Sequence, residues 1–319
     1  MTSPRSALGA LLDRPYLLLT LTALSWGANA VAGRMAVGLI SPMALTCLRW
    51  LVVVIVLGIF ARREIAVAWP VLAARWRTVL AMGALGFTIF NAFLYLSAHH
   101  TTAVNIGVIQ GVTPAFVLLG GLLAYGTRVR PIQVAGLLLT LLGVAVIATR
   151  GDIEVLAGLA FNIGDLGMVV ASALYAGYTV ALRKRPAVPP LAFFAGLASA
   201  ALLTSLPLIA FEVATGTVQW PGPKGWALVA FTALIPSFIS QIFFMRGVEL
   251  IGPARAGLFV NLVPVFAAML GVAILGETFA WYHALALALV LGGIWLSEQS
   301  TPKASPAPTS ATPDGTRLK

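Results

Sequence analysis

Asn91 and Tyr95 stand four residues apart, as do Gln110 and Pro114, while Trp26 and Asn29, and Tyr175 and Tyr178, stand three apart. On an α-helix these separations place each pair on one face. Amides beside aromatic rings can meet the amino and carboxylate groups of a zwitterion and the apolar part of its side chain. Trp26, Asn29, Asn91, Tyr95, Gln110, Tyr175, Tyr178, Gln241 and Asn261 are therefore the candidate substrate-binding residues. The competing reading is that these groups only cross-link helices, each bond contributing about 0.6 kcal/mol. Their placement favours binding, because Asn91 aligns with Gln241 at an offset of 150, and Gly111 aligns with Val260 and Asn261. Pro114 and Pro264 are equivalent in the same way, and each is expected to free a carbonyl inside a helix, giving a kink that serves as a hinge or only as static curvature.

The charged groups are distributed differently. Asp13, Glu64, Asp152, Glu154, Asp165, Glu212, Glu249, Glu277, Glu298 and Asp314 all fall in loops, tails or helix ends. A buried acid that exchanges protons for organic cations is therefore missing from mid-span positions. Arg49 is the one cation clearly inside a span; a substrate role and a bland one, pairing with backbone carbonyls or snorkelling, are both open. His99 and His100 are adjacent and point to different helix faces, so they do not form a chelate. No HExxH, GxSxG or paired mid-span Asp occurs, which argues against an intramembrane enzyme; no metal or cofactor is expected. Cys47 is the single cysteine and cannot form an internal bridge.

The elements that must position these residues follow from composition. Of 319 residues, 60% are hydrophobic and 9% charged, and the mean hydropathy is +0.96. Soluble domains carry about a quarter charged residues, so this chain cannot coat a water-facing surface. Apolar runs predict ten spans over roughly 16–38, 42–61, 78–98, 102–125, 131–149, 164–182, 191–213, 225–245, 254–275 and 280–297. Between spans, Arg34, Arg150 and Lys224 fall on one side, whereas the other loops and tails carry the remaining Lys and Arg, including Arg62, Arg63, Arg75, Arg77, Arg183 to Arg185, Arg246 and Arg255. The enrichment of basic residues in cytoplasmic loops then places both termini in the cytoplasm. The net charge of +10 is a topology signal, with the lipid bilayer as partner and no nucleic acid.

A second regularity organises the spans. Trp26 to Arg34 align with Tyr175 to Arg183 at an offset of 149, and Pro114, Phe116, Gly121, Gly126 and Gly143 align with Pro264, Phe266, Gly271, Gly276 and Gly293 at 150. Two copies of a five-helix unit result, and an odd number makes the second copy enter from the opposite side. The expected organisation is an N-terminal cytoplasmic tail (1–15), a first repeat (16–149), a periplasmic linker (150–163), a second repeat (164–298) and a disordered cytoplasmic tail (299–319) rich in Pro, Ser and Thr. The fold class is all-α integral membrane, with ten transmembrane helices as two inverted repeats, a symmetry suited to alternating access.

The run Trp26 to Arg34 (WGANAVAGR), Leu48-Arg49-Trp50, Gly111 to Pro114 and Gly276-Glu277 resemble the drug/metabolite transporter superfamily in its EamA-type ten-helix branch. Within it the chain looks most similar to bacterial exporters of amino acids, including aromatic ones. The resemblance implies an inner-membrane carrier with a central cavity and export of small neutral or zwitterionic metabolites. It departs at Gly126-Thr127, where many relatives have Glu. A multidrug or organic-cation exporter and a passive solute channel are the alternatives. A monomer or weak homodimer is expected. Gly120, Gly121, Ala124, Gly136, Gly143, Gly271 and Gly293 are expected to serve close helix packing.

Overall fold

The computed structural model describes residues 12–126, 129–152 and 162–299. The described residues form helices only, in chain order α1 (Pro15–Ala36), α2 (Pro42–Phe60), α3 (Arg62–Ala74), α4 (Trp76–Ser97), α5 (Ala103–Gln110), α6 (Thr113–Tyr125), α7 (Pro131–Thr149), α8 (Ile163–Ala181), α9 (Pro190–Ala214), α10 (Pro223–Ile251), α11 (Pro253–Val260), α12 (Val263–Leu275) and α13 (Trp281–Glu298). Proline opens many of them, where its missing N–H costs nothing and its fixed φ suits the first turn. Gly126 (φ 60) and Gly276 (φ 65) end α6 and α12 in the left-handed conformation that glycine adopts without a Cβ penalty.

Ten membrane crossings result. Eight are long and apolar enough by themselves, counting α5 and α6 together as Ala103–Tyr125, and α11 with α12, and α13, supply the others. Phe60 (76% exposed) and Leu123 (77%) are among many large apolar side chains on the outer surface. A soluble monomer seldom shows contiguous apolar patches of that extent, whereas lipid covers them at no cost.

Most of both tails and of the 150–163 linker lie outside the described residues. Two expectations need correction. The stretch after α2 is not a plain basic loop: α3 buries Ala68 and Leu72 against α9 while Val67 and Trp69 stay exposed. It has the pattern of an interfacial helix, apolar on more than one side with Arg62 and Arg63 at its start. Helix α10 continues to Ile251, so Arg246 lies within it and not in a loop, where it pairs with Asp13 (3.3 Å) and Glu249 (3.2 Å).

The packing repeats under exchange of the halves. Crossing 1 (α1) packs on crossing 8 (α10) and crossing 9 (α12), and crossing 6 (α8) packs in the matching way on crossing 3 (α4) and crossing 4 (α6). Helix α7 packs on α13, its own equivalent. There the contact is reciprocal: a Cβ on Gly143 would lie 2.9 Å from Ala286 O and from Val290 Cγ2, and one on Gly293 would lie 2.5 Å from Gly136 O and 2.3 Å from Thr140 Oγ1. Positions 136 and 286, and 140 and 290, are themselves equivalent, so the two helices meet antiparallel through one self-complementary patch.

Local irregularities repeat too. A wide π turn spans Ala84–Ile89 in α4 and another Ala233–Ile239 in α10, 150 residues apart within a residue. Helix is interrupted at Gly111-Val112 and again at Asn261-Leu262. Pro114 and Pro264 are therefore not kinks inside continuous helices, as expected from the sequence. Each is the second residue of a new helix, after the hydrogen-bond ladder has already broken.

Candidate functional site

Helix α2 carries Arg49 into the protein interior, where it is 5% exposed and the only buried Lys or Arg among the described residues. Its Nε donates to Ser237 Oγ (2.6 Å), and its Nη1 donates to Asn91 Oδ1 (2.7 Å), Asn29 Oδ1 (3.0 Å) and the Tyr95 hydroxyl. Tyr95 in turn donates to Asn29 Oδ1 (3.2 Å), and the guanidinium lies 5.4 Å from the Trp50 ring centroid. Four crossings thus converge on one cation, and no carboxylate among the described residues pairs with it. An arginine at mid-membrane depth costs about 3 kcal/mol on insertion scales, so these neutral oxygens offset a real penalty. Asn29, Asn91 and Tyr95, expected to bind substrate, gather around a positive charge.

The π turns make this geometry possible. A wide turn releases carbonyls from the usual ladder, and Asn91 Nδ2 donates to Phe87 O (2.6 Å) while Ser237 Oγ donates to Thr232 O (2.7 Å). Trp26 Nε1 donates to Pro236 O (3.0 Å) in the second π turn, and its ring lies 5.5 Å from Phe244. Trp26 therefore anchors α1 to α10 and does not join Asn29.

Next to the cation runs a chain of rings. Trp50 stacks on Phe87 (4.8 Å between centroids, 5° between planes), Phe87 meets Tyr178 (5.5 Å), Tyr178 meets Tyr175 (5.4 Å), and Tyr175 meets Phe90 (5.0 Å). Gly86 lets Tyr178 approach, since a Cβ there would lie 2.4 Å from the Tyr178 ring. The Tyr175 and Tyr178 hydroxyls make no hydrogen bond with the described residues, and neither is fully enclosed, unlike the Trp50 indole N–H, which is enclosed and unpartnered. Gln241, half-buried one turn beyond Ser237, has no hydrogen bond among the described residues either. Gln110 turns back on its own helix toward Ile106 O (3.4 Å), and Asn261 sits at the second helix break. The sequence paired Asn91 with Tyr95 and Tyr175 with Tyr178, and these stay together, but it paired Asn29 with Trp26, not with Asn91 and Tyr95, and it missed Ser237, Phe87 and Phe90 as partners.

At one end of the molecule three carboxylates of the second repeat bond to the first. Glu212 accepts from Ser41 Oγ (2.5 Å), Met43 N (3.1 Å) and Ala44 N (3.2 Å), capping α2. Glu277 accepts from Ala103 N (2.8 Å) and Val104 N (2.9 Å), capping α5. Asp165 accepts from Thr101 Oγ1 (2.5 Å) and Asn105 Nδ2 (3.2 Å). Carboxylates suit these places because the first N–H groups of a helix lack partners and carry partial positive charge. Beside them His283 Nδ1 accepts from Ala280 N (2.9 Å), which leaves Nε2 to donate to Asn105 Oδ1 (3.2 Å). The opposite end is basic, with a cavity of about 590 Å³ lined by Ala74, Arg75, Trp76, Arg77, Thr78 and Lys184, well removed in sequence from the Arg49 group.

Residues 14–149 and 162–298 each match the EamA-like transporter family, so the two repeats are two copies of one family unit. An uncharacterized transporter of Archaeoglobus fulgidus is 24% identical over 289 residues, covering 89% of this chain and 97% of its own. The uncharacterized transporter YetK of Bacillus subtilis (strain 168) is 25% identical over 292 residues, covering 88% and 86%. A solved structure titled "Crystal structure of protein" superposes with a TM-score of 0.62 at 23% identity, over 89% of this chain and 96% of that one, and shares the fold.

Proposed function

Since the chain belongs to the EamA-like transporter family, a membrane transporter and not an enzyme, we propose that it exports small zwitterionic metabolites, amino acids with aromatic or other apolar side chains foremost, by alternating access. The carrying observation is the pair of interrupted crossings at Gly111-Val112 and Asn261-Leu262, at equivalent places in the two repeats. Carriers with inverted repeats build their substrate sites where such breaks face each other near mid-membrane, and similar halves can exchange conformations around them. The unoccupied hydroxyls of Tyr175 and Tyr178, the Gln241 amide and the adjoining rings supply apolar walls with a few polar groups, which suits a small zwitterion. Organic cations are disfavoured because the one buried charge nearby is positive. On this reading the protein sits in a bacterial inner membrane with both termini in the cytoplasm and the carboxylate end facing outward, which the excess of basic residues at the opposite end supports. The protein acts as a monomer or weak homodimer on this reading.

The test is counterflow in proteoliposomes with labelled amino acids, organic cations and phosphorylated metabolites. Transient accumulation of a labelled amino acid, driven by the unlabelled one on the other side, is expected. Passive equilibration with conductance would indicate a channel, and accumulation confined to organic cations would indicate a multidrug exporter.

A further inference from the structure

Arg49 spends its guanidinium unevenly. Nη1 is engaged by three oxygens and Nε by one, while Nη2 makes no hydrogen bond with the described residues and is not fully enclosed. The residue as a whole is 5% exposed, and its charge has no carboxylate partner among the described residues. Asn29, Asn91, Tyr95 and Ser237 fix the orientation of the plane but neutralise nothing. A buried charge that is oriented, uncompensated and left with one free N–H₂ edge is suited to an anion.

From this arrangement we propose that Arg49 Nη2 binds the carboxylate of the transported solute, so that a carboxylate group, and not the amino group or the side chain, is what the site recognises first. A monoanion fits better than a phosphate, because no second buried Lys or Arg accompanies Arg49 among the described residues and one guanidinium edge balances one negative charge. The solute's apolar part then lies along the rings that begin at Trp50, next in sequence to Arg49, and run through Phe87 to Tyr178 and Tyr175. The inference rests on the carrier reading for the identity of the site, and it widens the substrate class to apolar carboxylates that lack an amino group.

The test is binding to the purified full chain in detergent by thermal-shift titration, using two pairs that differ only in the carboxylate: phenylacetate against phenylacetamide, and L-phenylalanine against L-phenylalaninamide. Each acid is expected to bind at least tenfold more tightly than its amide. Arg49→Gln is expected to abolish that preference. Because Arg49→Gln also removes a structural hub, Asn91→Asp provides the second variant: it places a carboxylate 2.7 Å from Nη1, loses only the amide bond to Phe87 O, should keep a cooperative melting transition, and should erase the acid preference by supplying the anion internally. Equal binding of acid and amide by the native chain, no binding of either acid, or acid preference surviving in Asn91→Asp would overturn the proposal. Counterflow failing while acid-selective binding persists would remove the carrier reading and leave the carboxylate site; counterflow of some other solute without acid selectivity would do the reverse.

Discussion

The two repeats share their backbone irregularities and differ in their charge. Both have a π turn, a broken crossing and a left-handed glycine at matching positions. Yet the first repeat carries Arg49 in its second crossing, where the corresponding stretch of the second repeat reads Ala198-Ser199, with Ala198 fully buried. Conversely the second repeat supplies Asp165, Glu212 and Glu277, which bond to helices of the first. Duplication preserved the backbone irregularities, and the charge was divided between the halves: the first holds the buried cation, the second holds the acids at one end.

Positions that remain equivalent should respond equally to change, and those that have diverged should not. The largest effect is expected at the self-complementary contact. Gly143→Val and Gly293→Val each drive a side chain against a backbone carbonyl that cannot give way, and each should cost about 3 kcal/mol of stability, read as similar losses of melting temperature in detergent. Unequal losses would break the symmetry. Next, Gly107→Ala puts a Cβ 2.2 Å from Ala267 Cβ, whereas Gly257→Ala, 150 residues on, meets nothing within 4 Å. About 2 kcal/mol is expected at the first site and within about 0.5 kcal/mol at the second. At the amide pair, Asn91→Ala strips a partner from Arg49 and should destabilise by about 1–2 kcal/mol, while Gln241→Ala should leave the melting temperature alone and raise the transport KM. If Gln241→Ala transports with an unchanged KM, its amide has no place in the site.

The smallest effect concerns His99, at the carboxylate end and outside the crossings. Partial desolvation, with His100 and Arg34 nearby, holds its pKa below 6.5, and Glu212 opposes the shift only weakly. The unfolded chain therefore binds the proton more readily than the folded one, and this contribution to stability is present above pH 6.5 and is lost as pH falls through the lowered value. His99→Gln should flatten the stability profile slightly on the acidic side of pH 6.5, with no change above it.

Much of this architecture is visible in the sequence because its signals are local or periodic. The crossings emerge from hydropathy to within a few residues for most helices, and the offset of 149 to 150 carries over directly into the matched breaks and turns. What escapes is long-range or depends on how the backbone resolves a choice. Proline at 114 and 264 announces a disturbed helix, but whether the ladder bends or restarts depends on Gly111-Val112 and Asn261-Leu262 packing against other crossings. Helix α3 is short, contains Pro70 and is rich in charge at its start, so no apolar run marks it. Arg49 was visible as an intramembrane cation, but its partners come from residues 29, 91, 95 and 237, and nothing short of the fold brings those together.

Reciprocal motion of the two ends is the central claim, and distances between spin labels test it most directly. One pair belongs at the carboxylate end, on His99 and Thr215, and one at the basic end, on Arg63 and Glu249; all four are exposed and each pair joins the two repeats. With the protein in lipid nanodiscs, each pair should give a short and a long distance, and a transported solute should shift their populations in opposite directions, one end closing as the other opens. Both ends opening together, or neither distance changing while solute is carried, would contradict alternating access.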